Sequence, residues 1–238
     1  MLTGKQAIYP VKLILTCEHG GNKIPREYSH LFKHHNHILD MHRGFDIGSL
    51  DLYNHLKPLA DFSLSSETSR LLIELNRSLH HNDLFSEFSK TLTKSEKDKL
   101  ILGFYLAHRK KVEQKIKKFI KNNETVLHIS VHSFTPILNN IERQCDIGLL
   151  YDPGRTSEKQ FCKMFKTELS NQNAEYIIRY NYPYLGKSDG FTTYLRKKFS
   201  ENYIGIELEI NQKFSKKNTI NSILKKATYS TLKILINK

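Results

Sequence analysis

Short runs of β-branched and other apolar residues recur along this 238-residue chain, separated by longer segments with helical spacing. The runs lie at 11–17, 71–75, 126–131, 147–151, 176–178 and 203–210, and read as strands. Between them, 45–56, 94–122, 157–170, 190–199 and 218–235 carry apolar residues at the period of an amphipathic helix. Strands that alternate with helices in this way form an α/β fold. The expectation is a single domain over residues 1–238 with a mixed, mainly parallel central sheet flanked by helices. The run 126–131 is almost continuously apolar, as a central strand covered on both faces would be, and that placement leaves His128 in need of a polar partner. The polar, serine-rich stretch 80–95 reads as a long surface loop within the domain.

Composition narrows the setting. Hydrophobic residues make up 39% and charged residues 26%, the balance of a folded globular chain. Cys17, Cys145 and Cys162 are odd in number and lack CxxC spacing, which argues against a disulfide framework and against a thiolate zinc site. Residues 1–12 show no apolar core of a signal peptide, and no run reaches the about 18 apolar residues of a membrane span, so a cytoplasmic protein is expected. The net charge of +13 is compatible with nucleic acid, anionic lipid or an acidic small molecule as partner. The lysines fall mainly at 94–121, 187–198 and 213–226 with helical spacing, the pattern of solvated helix faces. A nucleic-acid-binding reading also lacks an RNP-type strand, a helix-turn-helix and a zinc finger.

In α/β sheets ligands bind beyond the carboxyl ends of the strands. Three strand ends carry polar clusters: Cys17-Glu18-His19-Gly20-Gly21-Asn22, His132-Ser133-Phe134-Thr135-Pro136, and the segment from Glu207 to Gln212. A lone loop histidine is most often just hydrogen-bonded to backbone. Two histidines that each follow a strand can converge as zinc ligands do, and a catalytic zinc takes a third protein ligand. The position three residues after His19 is Asn22, a poor ligand, so Glu18 and Asp46 remain as candidates. Asp46 could equally cap the helix that follows it. Glu207 and Glu209 are two apart and share one face of the last strand, where a carboxylate can act as general acid/base or pair with a lysine. Arg70 and Arg77 could bind a substrate carboxylate, or form salt bridges to Glu67 or Glu74.

Taken together, these clusters resemble the N-formylglutamate amidohydrolase family, whose fold is like that of the zinc carboxypeptidases and aspartoacylases. The likeness runs through Cys17 to Pro25, Asp46-Ile47-Gly48, Ser69-Arg70, Leu75-Asn76-Arg77, His132 to Pro136, Asp146 to Tyr151, Asn181-Tyr182-Pro183-Tyr184 and Glu209 to Gln212. It implies a Zn ion held by His19, His132 and Asp46, with Glu18 in reserve, and Glu209 as the catalytic carboxylate. It further implies that Arg70, Asn76 and Arg77 hold the carboxylates of an acidic N-acyl amino acid. Ser133 would orient that substrate and Tyr184 would close over it. The chain has Glu74 where the family tends to have Asp, a change that should be harmless inside a strand. The implied reaction is hydrolysis of the acyl amide by metal-activated water. A peptidoglycan-peptide amidase or carboxypeptidase on the same metal site is the alternative.

Overall fold

The computed structural model describes residues 11–236; the segment 1–10, most of the stretch read above as free of a leader, lies outside them. Six strands form the main sheet: β1 (Val11–Cys17), β2 (Phe62–Ser65), β3 (Thr125–Phe134), β4 (Ile147–Leu150), β5 (Ile178–Tyr180) and β6 (Tyr203–Asn211). Their order is β2-β1-β3-β6-β4-β5. The first four in that order are parallel, whereas β4 runs antiparallel to β6 and parallel to β5. The mixed, mainly parallel sheet expected from the alternation is therefore present. Because β1, β3 and β6 are adjacent and parallel, their carboxyl ends lie side by side.

Helices cover both faces. They are α1 (Ser49–Leu56), α2 (Lys94–Leu100), α3 (Ala107–Lys121), α4 (Thr156–Gln172), α5 (Phe191–Lys198) and α6 (Ser222–Leu235). A π-helical segment, Ile101–Leu106, joins α2 to α3. Side chains alternate across a strand, so Leu13, Leu15, Leu127, Ile129, Ile206 and Leu208 point to the face covered by α1, α4 and α6. Ile14, Val126 and Tyr203 take the opposite face, under Val112 and Ile116 of α3 and Leu195 of α5.

On that second face the alternation turns polar toward the strand ends. In β3 the same parity continues through His128, Ser130 and His132, and in β6 through Gly205, Glu207 and Glu209. The register sets Ser130 beside Glu207 and His132 beside Glu209. The partner that His128 requires is supplied on both nitrogens: Nε2 lies 2.8 Å from Thr16 Oγ1 and Nδ1 lies 2.7 Å from Tyr203 Oη.

One expected strand is absent. Residues 71–75 form no ladder; they run through turns, with Leu72 N donating to Ser69 O at 3.0 Å and Glu74 N to Leu84 O at 2.9 Å. Their side chains are buried in a separate core with Leu84, Leu92, Leu100 and Tyr105. A short apolar run signals burial, and periodicity alone does not say whether a sheet or a packed loop provides it. Conversely β2 has four half-buried residues at the sheet edge and too little apolar pattern to be read from sequence.

Burial holds the His128 imidazole low, at about 4, because its charged form loses solvation between the sheet and Phe191. The unfolded chain thus takes up a proton that the folded chain refuses as pH falls from 6.5 toward about 4. Stability is full above this window and falls within it, by about 3 kcal/mol at its lower end. Thermal unfolding of the His128→Gln variant is expected to lose less stability between pH 7 and pH 4.5 than the wild type does; parallel curves would contradict this.

Candidate active site

His19 stands two residues beyond β1, in the turn that the following glycines allow. Asp46 comes from the loop before α1, its backbone N donating to His19 O at 2.9 Å. Gly48, at φ 84°, then turns the chain into the helix, a conformation costly for any residue with a Cβ. The Asp46 side chain does not cap α1; the main-chain oxygen of Asp46 accepts from Ser49 Oγ at 2.7 Å, and the carboxylate is left for the site. His132 lies in β3 itself, which continues two residues further to Phe134.

The three side chains meet. Asp46 Oδ2 is 3.3 Å from His19 Nδ1 and 2.8 Å from His132 Nδ1, and one ligand atom of each residue can be chosen so that all lie within 4.8 Å of one another. All three residues are buried. Each histidine is backed on its far nitrogen. His19 Nε2 is hydrogen-bonded to Glu74 Oε1. His132 Nε2 faces Ser130 Oγ at 2.8 Å and Glu18 Oε2 at 3.4 Å. Glu18, the reserve ligand, therefore stands behind His132, where Ser130 Oγ donates to it at 2.5 Å and His108 Nε2 lies 3.4 Å away.

The charges identify what such a cluster can hold. Three buried carboxylates, Glu18, Asp46 and Glu74, and one guanidinium, Arg70, leave two negative charges if both histidines are neutral. Burial by itself would lower both histidines, yet the surrounding carboxylates raise them, His132 well above the ordinary value. Burial likewise works to raise Asp46 and Glu74, and neighbouring positive groups override it: His19 and His132 for Asp46, Arg70 and His19 for Glu74. The two negative charges match one divalent cation, and binding such an ion would displace protons that the carboxylates favour on the imidazoles. The donor set of two imidazoles and one carboxylate is one that zinc accepts. The carboxylates behind the imidazoles match the outer partners that orient metal-ligating histidines.

Glu209 completes the inner wall. The residue is 5% exposed, and Oε2 has no hydrogen-bond partner among the described residues. Burial pushes it up to about 8, against the pull of the His132 charge. Space for it depends on Gly148 in β4, directly across the ladder: a Cβ there would lie 2.2 Å from Tyr182 O and 3.1 Å from Glu209 Cβ. Glu207, by contrast, is occupied, its Oε1 accepting from Thr192 Oγ1 at 2.7 Å.

A cleft of about 280 Å³ opens over these groups. Arg70, Asn76, Arg77, Ser133 and Tyr184 all line it, as do His42, Asp189 and Gln212, which the sequence reading did not single out. Arg70 is committed to two carboxylates, with Nε 2.8 Å from Glu74 Oε2 and Nη1 3.3 Å from Asp46 Oδ1. The salt bridge to Glu74 left open by the sequence therefore forms. Asn76 Oδ1 accepts from Phe191 N at 2.7 Å, and its Nδ2 lies 3.5 Å from His132 Nε2. Ser133 Oγ donates to Ile47 O at 2.8 Å. His42 is lowered by burial first, then by Arg43, Arg143 and Arg70, a sign of the positive potential over the cleft.

A model of the N-formylglutamate amidohydrolase family matches residues 11–215. The chain belongs to that family. Among solved structures it is similar to the gene product Atu2144 of Agrobacterium tumefaciens, with a TM-score of 0.77 and 20% identity over 96% of this chain and 90% of that one. It is also similar to N-formylglutamate amidohydrolase from Ralstonia eutropha JMP134, with a TM-score of 0.67 and 16% identity over 96% and 92% of the two chains. At these identities the likeness is one of fold. No curated protein sequence matches the chain. Among the described residues, no helix is long and apolar enough to cross a membrane.

Glu74 is the residue whose importance the family pattern understated. It is not a strand residue in which Asp and Glu interchange freely; its two oxygens divide between His19 and Arg70, and Oε1 also accepts from Asn76 N at 2.8 Å. Its spacing from Arg70, four residues, was the available signal. If the His19–Asp46–His132 cluster holds a divalent metal, Glu74→Gln is expected to weaken zinc binding about 10- to 100-fold in chelator competition, the usual cost of losing an outer partner of a ligating histidine. Asp46→Asn is expected to weaken it more. Equal zinc affinity in all three proteins would contradict this arrangement.

Proposed function

We propose that the chain hydrolyses the amide bond of an N-acyl acidic amino acid such as N-formylglutamate, with a zinc ion held by His19, Asp46 and His132. The reading is carried by one observation: Glu209, buried and with no hydrogen-bond partner for Oε2 among the described residues, lines the same cleft as a His/Asp/His cluster whose ligand atoms lie within 4.8 Å of one another. Family membership supports it. When bound, zinc supplies Lewis acidity, polarising the acyl carbonyl and making water acidic enough to be deprotonated near neutrality.

The chain's own groups do the rest. Glu209 takes the proton of the attacking water on its carboxylate and passes it to the amine nitrogen as the amide bond breaks, so that formate and the free amino acid leave. A cation beside Glu209 draws its pKa down from about 8, toward the ionised form that a base requires. Asn76 and Arg77 hold the α-carboxylate of the substrate. Arg70, already paired with Glu74 and Asp46, contributes positive charge to the cleft and braces His19 through Glu74. Ser133 is fixed by Ile47 O and accepts from Gln212 Nε2 at 3.1 Å, which leaves it to define the cleft wall beside Asp46. A cleft of about 280 Å³ suits a ligand of amino-acid size, at the small end of binding pockets.

The test is a hydrolysis screen of zinc-loaded protein against formyl, acetyl and succinyl derivatives of glutamate and aspartate beside a muropeptide. Release of the free acidic amino acid is expected, and inactivity toward every N-acyl amino acid with zinc bound would refute the reading. In the same assay Glu209→Gln is expected to keep its zinc and lose about 10²- to 10⁴-fold in kcat. Full activity would remove Glu209 from the role of base.

A further inference from the structure

Two carboxylates of an acidic substrate need two positive partners, and the cleft distributes its arginines unevenly. Arg70 already has two carboxylate partners. Arg77 has none among its hydrogen bonds: its Nη1 donates to Asp189 O at 2.7 Å and to Asn76 O at 3.3 Å. Another arginine with neutral partners stands behind cleft-lining residues Phe134, Thr135 and Tyr184. Arg143 is 9% exposed, and its hydrogen bonds all go to neutral oxygens: Nη1 to Thr135 O and Oγ1, both at 3.3 Å, and Nη2 to Tyr184 Oη at 3.3 Å. Its guanidinium packs over the Phe134 and Tyr184 rings, with centroids at 5.7 and 5.2 Å.

The backbone holds this arginine in place. Arg143 N donates to Pro136 O at 2.8 Å and its carbonyl accepts from Cys145 N at 2.9 Å, closing the base of the small hairpin Ile137–Leu138 and Ile141–Glu142. Among the described residues no carboxylate lies within salt-bridge distance of Arg143; the interior Arg109 shares that property, but Arg143 differs in hydrogen-bonding a half-exposed side chain of the cleft, Tyr184, where a charge can arrive from outside. Three of its neighbours, Phe134, Thr135 and Tyr184, line the cleft, and Tyr184 is 46% exposed.

We infer that Arg143 and Tyr184 form a dyad that recognises the side-chain carboxylate of the substrate and sets the preference for an acidic amino acid. Tyr184 Oη accepts from Arg143, so its own proton is directed away from the guanidinium and is available to an anion in the cleft. The cation behind it polarises that O–H and strengthens the bond it makes to a carboxylate. Arg143 is thus a positioning residue that acts through Tyr184, while Arg77 serves the α-carboxylate. The inference rests on the proposed amide hydrolysis for what occupies the cleft.

The experiment compares N-formyl-L-glutamate with N-formyl-L-glutamine, which have nearly the same size and differ by one charge. Zinc-loaded wild type is expected to favour the glutamate derivative in kcat/KM, chiefly through KM. Arg143→Met and Tyr184→Phe are each expected to cut that preference about tenfold, roughly the worth of one charge-assisted hydrogen bond. The double variant should lose little more than either, because the two act as one unit. An unchanged preference in folded Arg143→Met protein would overturn the dyad. Should that variant fail to fold, Tyr184→Phe, which removes only the hydroxyl of a residue that is 46% exposed, gives the same reading. Calorimetric binding of the two ligands measures the preference even in protein that turns neither over. Lack of hydrolysis therefore counts against the proposed reaction, whereas equal or absent binding of the two ligands counts against the dyad.

Discussion

The carboxylate of Asp46 meets two imidazoles that arrive from neighbouring parallel strands, and the surrounding architecture serves to keep that meeting in place. His19 and His132 reach it through Nδ1, so their Nε2 atoms point outward into the protein. There Glu74 and Glu18 receive them. Buried carboxylates without compensation would be strongly destabilising, and the three around the histidines each have a cation or hydroxyl within reach: Arg70 for Glu74 and Asp46, Ser130 and His108 for Glu18. The cluster is a polar network inside an apolar core, satisfied member by member, and that is what fixes its geometry.

The sheet makes this network affordable. Leu127, Ile129 and Val131 of β3 bury one face completely, which frees the alternate positions His128, Ser130 and His132 to be polar without loss of the strand. Tyr203, Gly205, Glu207 and Glu209 repeat the device on β6. The result is a polar strip that begins with the Thr16–His128–Tyr203 hydrogen bonds in the interior and ends with Glu209 at the cleft. Rigid strands, not loops, thus carry His132 and Glu209, and their separation is set by the spacing of adjacent strands.

The rest of the site comes from irregular chain, held by a second core. Residues 70–77 supply Arg70, Glu74, Asn76 and Arg77 from a segment without ladder pairing, anchored by Leu72, Ile73 and Leu75 against Leu84, Leu92 and Leu100. The π segment contributes as well: Tyr105 Oη donates to Arg77 O at 2.7 Å, and Arg109 of α3 donates to the same carbonyl at 2.6 Å. Mid-helix widening of this kind often marks functional positions, and here it places two donors on the carbonyl of a cleft arginine.

Much of this was written in the chain's local pattern. Alternating apolar runs and amphipathic segments determined the layered α/β fold, because such segments bury their apolar faces only against one another. The strand-end rule determined that His19, His132 and the acids of the last strand share one crevice. Local pattern could not distinguish Glu207 from Glu209, which have the same parity; the fold gives them different surroundings, with Thr192 hydrogen-bonded to Glu207 and Glu209 Oε2 without a partner among the described residues. Nor could it say whether the Asp46 carboxylate caps the helix or faces the two histidines, or whether Glu18 lies between the histidines or behind His132. Those distinctions depend on which atoms from distant parts of the chain converge. Periodicity reports only whether a residue is buried, and the partner it is buried against is settled by the packing of the whole fold.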